Sequence, residues 1–263
     1  MKQCDVTIQQ VRNLSPDIIR LTLYAPRITE EAKPGQFITI KAGDTYDPII
    51  RRPFSIHQIH DDGRLEIVFK VLGKGTKILA ATQQGQKLNL IGPLGNPFTI
   101  TKNMCLIGGG MGIVPLLFLA KAIRKQEGIS AKITVILAAR NQEDLSCFTD
   151  DFNSLGVMLH LATDDGSLGH HGLVTDLIPT ILDSLPTCQV CACGPQPMLQ
   201  AIAKICEIHD TPCQVSLETM MACGISACLG CAIEAQDGKK GQKYLHVCQD
   251  GPVFWAGDIK WTA

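Results

Sequence analysis

The sequence has almost no net charge: 24 lysines and arginines stand against 25 aspartates and glutamates, a formal balance of −1. Nothing in it supplies the electrostatic footprint that nucleic acid or an anionic membrane surface requires. A long uninterrupted apolar run is also missing. The one candidate, Met104 to Ala120, is uncharged but broken by four glycines and Pro115, and it sits at the lower limit of a bilayer span. A buried strand, loop and helix account for it better. No charged-then-apolar leader opens the chain at Met1-Lys2-Gln3-Cys4, and no internal repeat or low-complexity tract is visible. The seven histidines, His170-His171 included, have neither carboxylate nor metal spacing and receive no catalytic role. Twelve cysteines in 263 residues therefore point away from a secreted disulfide framework, and a reducing cytoplasm is the expected location.

What is present is a core-forming composition, 45% hydrophobic over a length suited to two domains and a small appended module. Up to Phe98 the segments alternate with period two, as in Asp5-Val6-Thr7-Ile8, Ile19 to Leu23 and Leu65 to Phe69. That pattern predicts an antiparallel β-barrel over 1–98. Over 99–211, short apolar runs (Cys105 to Ile107, Ile133 to Leu137, Val157 to Leu161, Gln189 to Ala192) alternate with helical patterns, predicting a doubly wound parallel sheet. Residues 212–263 hold one strand-like run and are too few to build a core, so they are expected to form a module stapled by its metal site.

That module carries Cys223-x4-Cys228-x2-Cys231 and, after sixteen further residues, Cys248. Two irons bridged by sulfides need four thiolates converging on a small volume, and this is the spacing of a plant-type [2Fe–2S] site. A structural Cys4 zinc site is the competing reading, but such sites usually show two close cysteine pairs rather than a triplet and a distant single. The remaining cysteines, including Cys188, Cys191 and Cys193, read as buried apolar thiols.

Within the parallel-sheet region, Gly108-Gly109-Gly110-Met111-Gly112 follows a strand and opens a helix. Glycines there let the backbone approach a phosphate at a helix N-terminus, as in a dinucleotide site, although a tight structural turn has the same composition. Asp164 or Asp165, just past another strand, would accept bonds from a ribose hydroxyl and repel a 2′-phosphate, favouring NAD; an ordinary Asp/Gly turn is equally consistent. Cys193-Gly194-Pro195 ends a further strand at the same sheet edge.

The barrel region contains Arg51-Arg52-Pro53-Phe54-Ser55 and Phe69-Lys70-Val71, followed by Gly75-Thr76. Taken with Pro34-Gly35-Gln36-Phe37, Gly92-Pro93-Leu94-Gly95, the triple glycine and Cys193-Gly194-Pro195, these resemble the ferredoxin–NADP reductase superfamily over roughly residues 2 to 211. With Met220-Met221-Ala222-Cys223 through Cys231 and Val247 to Phe254 added, the chain resembles the electron-transfer subunits of class B dihydroorotate dehydrogenases. The resemblance implies that Arg52, Pro53, Phe54, Ser55, Phe69, Lys70, Val71, Gly75 and Thr76 hold FAD, with Arg52 on the diphosphate, Phe54 flanking the flavin and Ser55 near its reactive nitrogen. It further implies that Gly108, Gly109, Gly110 and Asp164 or Asp165 hold NAD, that Cys193 packs beside the nicotinamide, and that Cys223, Cys228, Cys231 and Cys248 bind the cluster. The implied partner is an FMN-containing catalytic subunit in a heterotetramer with two copies of each chain. No residues remain for a substrate barrel of about 250 residues, so the pyrimidine chemistry is expected in that partner. A related FAD and iron–sulfur subunit serving a ferredoxin, sulfur or hydrogenase system is the runner-up. The partner-facing surface is expected round the cysteine loop, with Phe254 and Trp255 either anchoring it or packing on the chain's own barrel. Two departures stand out: Ser226, where the family's loop more often has Gly, and Phe54, where the superfamily often has Tyr.

Overall fold

The computed structural model describes residues 1–43, 46–185, 187–237, 241 and 243–261. The N-terminal region contains β1 (Lys2–Asn13), β2 (Ile18–Tyr24), a short helix α1 (Pro26–Thr29), β3 (Phe37–Ile40), β4 (Arg52–Ser55), β5 (Gln58–Ile59), β6 (Arg64–Lys70), helix α2 (Lys74–Ala80) and β7 (Lys87–Leu94). These strands form one antiparallel sheet in the order β4-β3-β7-β1-β2-β6-β5. Its two edge strands are consecutive in the chain. At the corner between them the Ile56 amide donates to Gln36 O at 3.1 Å and the His57 amide to Glu66 O at 2.9 Å, curling the sheet into a half-barrel. Alternation sets the inside: Ile8, Leu21, Leu23, Ile38, Ile40 and Ile67 are fully buried there.

The second region follows as β8 (Asn103–Gly109), a 3-10 turn, α3 (Val114–Glu127), β9 (Lys132–Ala139), α4 (Gln142–Asn153), β10 (Met158–Thr163), β11 (His170–His171), α5 (Val174–Ser184), β12 (Gln189–Cys193), α6 (Gln196–Ile208) and β13 (Cys213–Ser216). Helices cover both faces of the parallel sheet, so β8 and β9 are buried almost throughout and read as unbroken apolar runs. Met104 to Ala120 is indeed strand, turn and helix. Among the described residues no helix is long and apolar enough to cross a membrane.

The C-terminal segment adds the hairpin β14 (Ala232–Glu234) and β15 (Tyr244–His246), then β16 (Val253–Trp255). Here the structure draws a different line from the sequence pattern. The strand-like run after residue 212 is β13, paired parallel to β12, and β16 pairs antiparallel to β13 at the sheet edge, giving the order β11-β10-β9-β8-β12-β13-β16. The cysteine segment is thus a long excursion between two strands of the nucleotide sheet. Cys231, Leu245, Val247, Cys248 and Phe254 share one apolar core with Val190, Ala192 and Val215 of that sheet and with Phe37 and Leu94 of the barrel. A segment this short cannot bury enough apolar surface alone, and it borrows both larger cores.

Candidate redox site

The four cysteines stand as two pairs. Cys231 Sγ and Cys248 Sγ are 3.3 Å apart and both residues are buried. Cys223 and Cys228 form the more open pair. Backbone amides converge on the sulfurs: those of Ile225, Ala227 and Cys228 donate to Cys223 Sγ at 3.5, 3.3 and 3.4 Å. The Ser226 amide donates to Cys248 Sγ at 3.2 Å, and those of Gly230 and Cys248 to Cys228 Sγ and Cys231 Sγ at 3.5 Å each. Burial pushes the Cys223 thiol up, but these amides, with Cys228 beside it, outweigh that and bring it down to about 7. The lining fits an anionic sulfur cage. Two thiolate pairs, Cys223 with Cys228 and Cys231 with Cys248, would suit two bridged irons, each held by one pair.

Aiming the amides inward requires a left-handed backbone at Gly224 (φ 70°), Ser226 (φ 62°) and Leu229 (φ 61°). Ser226, where the family's loop more often has Gly, thus occupies the strained region, and its backbone N–H is what reaches a sulfur. Leu229 has the same strain, and no residue-type signal marked it.

The loop rests on the barrel. A Cβ on Gly224 would lie 2.8 Å from Thr39 Cγ2, and Phe37 and Leu94 are next nearest at 3.9 Å. Across the β3–β4 ladder Phe37 pairs with Ser55 and Thr39 with Pro53, and paired residues share a face. Pro53 and Ser55 therefore lie on the face covered by the cysteine loop, while Arg52 and Phe54 lie on the other. Phe54 is buried against Phe69 with ring centroids 5.3 Å apart. The Arg52 side chain lies against Gly75, where a Cβ would come within 2.8 Å of its Nε. Thr76 Oγ1 accepts from the amides of Leu72 and Gly73 at 3.0 Å each and so shapes the turn into α2. The Lys70 ammonium is committed to Asp17 at 3.1 Å and to Asp144 of α4 at 3.3 Å, and the Val71 amide to Asp17 O at 2.7 Å.

At the carboxyl ends of β8 and β12, where the strand order reverses, a cavity of about 490 Å3 opens, lined by Gly109, Gly110, Arg140, Asp144, Asp164 and Met198 among others. Gly110 lines it with φ 55°. Gly108 instead serves close packing under α3, since a Cβ there would lie 2.9 Å from Leu116. The stricter requirement is at Gly112, where a Cβ would lie 2.3 Å from the Cys193 carbonyl oxygen. The two acidic candidates separate. Asp164 lines the cavity, whereas the Asp165 carboxylate accepts from the Ser167 amide at 3.0 Å and its hydroxyl at 2.6 Å, closing a turn.

The Cys193 side chain is buried in the sheet core rather than in the cavity wall, and burial pushes its thiol well up. Burial does the same to Cys188 and Cys191, as expected of apolar thiols. Near Cys193 stands Glu218, just beyond β13, which the sequence pattern did not single out. Its outer edge reaches solvent, but the packing round its carboxyl pushes the pKa up. No motif marked it, because its place beside Cys193 depends on β13 joining the nucleotide sheet.

Three family models match in succession: the oxidoreductase FAD-binding domain over residues 5–98, the oxidoreductase NAD-binding domain over 106–204, and the iron–sulfur cluster binding domain of dihydroorotate dehydrogenase B over 218–260. The chain is 36% identical to the dihydroorotate dehydrogenase B (NAD(+)) electron transfer subunit of Desulforamulus reducens, covering 99% of each chain. It is 39% identical to the protein of the same name from Caldanaerobacter subterraneus, over 86% of each. Among solved structures, an NADH-dependent reduced ferredoxin-NADP oxidoreductase superposes with a TM-score of 0.85 at 28% identity, covering 97% of this chain and 90% of that one. The cytochrome b5 reductase domain of Ulva prolifera nitrate reductase shares the fold at a TM-score of 0.64 and 18% identity, covering 84% of this chain and 96% of that one.

Proposed function

The chain belongs to the dihydroorotate dehydrogenase B (NAD(+)) electron transfer subunit family, and on that footing we propose that it carries electrons from an FMN-containing, dihydroorotate-oxidising partner to NAD+ in pyrimidine biosynthesis. The observation that carries this reading is the seating of the cysteine loop, through Gly224 on Thr39, on the barrel face that bears Pro53 and Ser55. Cys223, Cys228, Cys231 and Cys248 are the cluster ligands, and the amides of residues 225 to 228 hold the thiolate charge.

Arg52 and Gly75 meet the FAD diphosphate, Thr76 sets the turn behind them, and Pro53, Phe54 and Ser55 with the Phe69 to Val71 backbone shape the flavin's bed. Gly109, Gly110 and Asp164 receive NAD across the strand-order reversal, with Gly108 packing under α3 behind them and Asp165 holding the neighbouring turn. Cys193 backs the nicotinamide end from within the sheet, with Glu218 at its edge. Bound in these places, a cluster that moves one electron at a time, a flavin that handles one or two and a nicotinamide that accepts a hydride form a directed relay.

The relatives are named as subunits, so a catalytic partner chain is part of the assembly. Its seat is the rim of the cysteine loop, where Met220 (88% exposed), Ile225 and Leu229 offer apolar side chains to solvent. Phe254 is buried in this chain's own core, leaving Trp255, 41% exposed, as the residue of that pair available to a partner. We take the assembly to be a heterotetramer with two copies of each chain, in a reducing cytoplasm that suits so many free thiols.

Co-expression with an FMN-binding dihydroorotate dehydrogenase barrel tests the reading. The expected product is a coloured complex containing FMN, FAD and [2Fe–2S] that reduces NAD+ with dihydroorotate. A colourless chain holding zinc and no flavin sinks it. The likeness to a ferredoxin-NADP oxidoreductase supports a second reading, service to a different electron donor; co-purification of a partner without FMN would favour that one.

A further inference from the structure

Thr39 is 2% exposed, and its hydroxyl oxygen has no hydrogen-bond partner among the described residues. A buried hydroxyl left unpaired costs stability that Val, filling the same volume on the same strand, would not. The position is also specific. Thr39 and Phe37 face away from the barrel interior, toward the cysteine loop, and Thr39 Cγ2 lies 2.8 Å from where a Cβ of Gly224 would be, one residue from Cys223. Among the described residues, every backbone amide that donates to a sulfur of Cys223, Cys228, Cys231 or Cys248 comes from the cysteine segment itself, residues 225 to 248. Among the described residues the barrel side contributes none of these bonds, yet Thr39, whose methyl makes that contact, carries a buried hydroxyl without a partner.

We propose that the Thr39 hydroxyl donates a hydrogen bond to the sulfur cage of the iron–sulfur cluster on its Cys223 side and thereby raises the cluster's reduction potential. The inference rests on the reading that the four cysteines hold that cluster. The physical basis is that an added electron increases the negative charge on the sulfurs, and a donor aimed at them stabilises the reduced form more than the oxidised one. Thr39 is then a tuning residue at the seam between cluster and flavin, setting how readily the cluster hands its electron on.

The test compares Thr39→Val, Thr39→Ala and Thr39→Ser in the purified holo-complex. Redox titration followed by electron paramagnetic resonance reads the cluster, and optical titration reads the flavin. The expected result is a lower cluster midpoint with altered g values in the Val and Ala variants, near-wild-type values in Ser, and an unchanged FAD midpoint in all three. An unchanged cluster in Val and Ala, an equal shift in Ser, or a shift confined to the flavin overturns the proposal while leaving the cluster assignment intact. Absence of a [2Fe–2S] signal from the wild-type complex overturns both.

Discussion

Arg20 of β2 reaches Asp151 of α4, with Nη2 2.5 Å from Oδ2, so a largely buried ion pair joins the barrel to the nucleotide sheet. His57, fully buried, approaches the same carboxylate at 3.8 Å and contacts the Val114 carbonyl at 2.7 Å through its other ring nitrogen. Since hydride transfer needs flavin and nicotinamide held in a fixed relation, this seam is where the geometry of the two halves is set.

The acid limb of stability should report on that seam. Burial raises the Asp151 carboxyl, but the neighbouring His57 ring and the Arg20 guanidinium outweigh it and bring the pKa down to about 2. A depressed carboxylate stabilises the fold fully above its unfolded value near 4 and loses that contribution as pH falls toward 2. Asp151→Asn is expected to cost about 1–2 kcal/mol at pH 7, after allowance for solvent screening of the carboxylate. It should also flatten the pH dependence of the urea midpoint below about pH 4; an unaltered acid limb would remove Asp151 from this role.

Ser226 offers a stabilising substitution. Its φ of 62° suits glycine, and the contact it makes to Cys248 Sγ is through the backbone amide, which Gly retains. Ser226→Gly should raise stability by about 1 kcal/mol, read as a higher thermal midpoint with an unchanged cluster spectrum. A lower midpoint would mean the hydroxyl contributes more than the strain costs.

For the fourth ligand, Cys248→Ser is expected to abolish the cluster signal and uncouple dihydroorotate oxidation from NAD+ reduction while FAD stays bound, because Arg52 and Gly75 lie on a different part of the barrel. Normal electron paramagnetic resonance after reduction would show the ligand misassigned.

Cofactor preference should follow Asp164 alone. With Asp164 lining the cavity and Asp165 occupied by Ser167, Asp164→Ser is expected to improve use of NADP relative to NAD by roughly tenfold, the effect of about 1.4 kcal/mol. Asp165→Ala should loosen the turn that Ser167 closes, with no change of preference. Steady-state kinetics with both nucleotides decides it; equal shifts in the two variants would reverse the assignment.

Much of this was legible along the chain because its signals are local. The period-two runs, the strand–glycine–helix order at Gly108 to Gly112 and the x4, x2 spacing of Cys223, Cys228 and Cys231 each depend on a few neighbouring residues. Asp164 and Asp165 look alike in sequence, and only the Ser167 contacts separate them. Lys70 reads as part of a flavin stretch, yet its side chain turns to Asp17 and Asp144, partners 53 and 74 positions away.

By itself the sequence determined that the chain has a β half, a nucleotide-binding half and a cysteine quartet for a two-iron cluster, since backbone periodicity and ligand spacing are properties of short segments. Only the tertiary structure decided that the cysteine segment is an excursion of the nucleotide sheet between β13 and β16, that it lies on the barrel face carrying Pro53 and Ser55, and that Glu218 and an unpaired Thr39 hydroxyl stand where they do. Those relations come from burying the apolar surface of a segment too small to do so alone, and no local pattern encodes which surface it will meet.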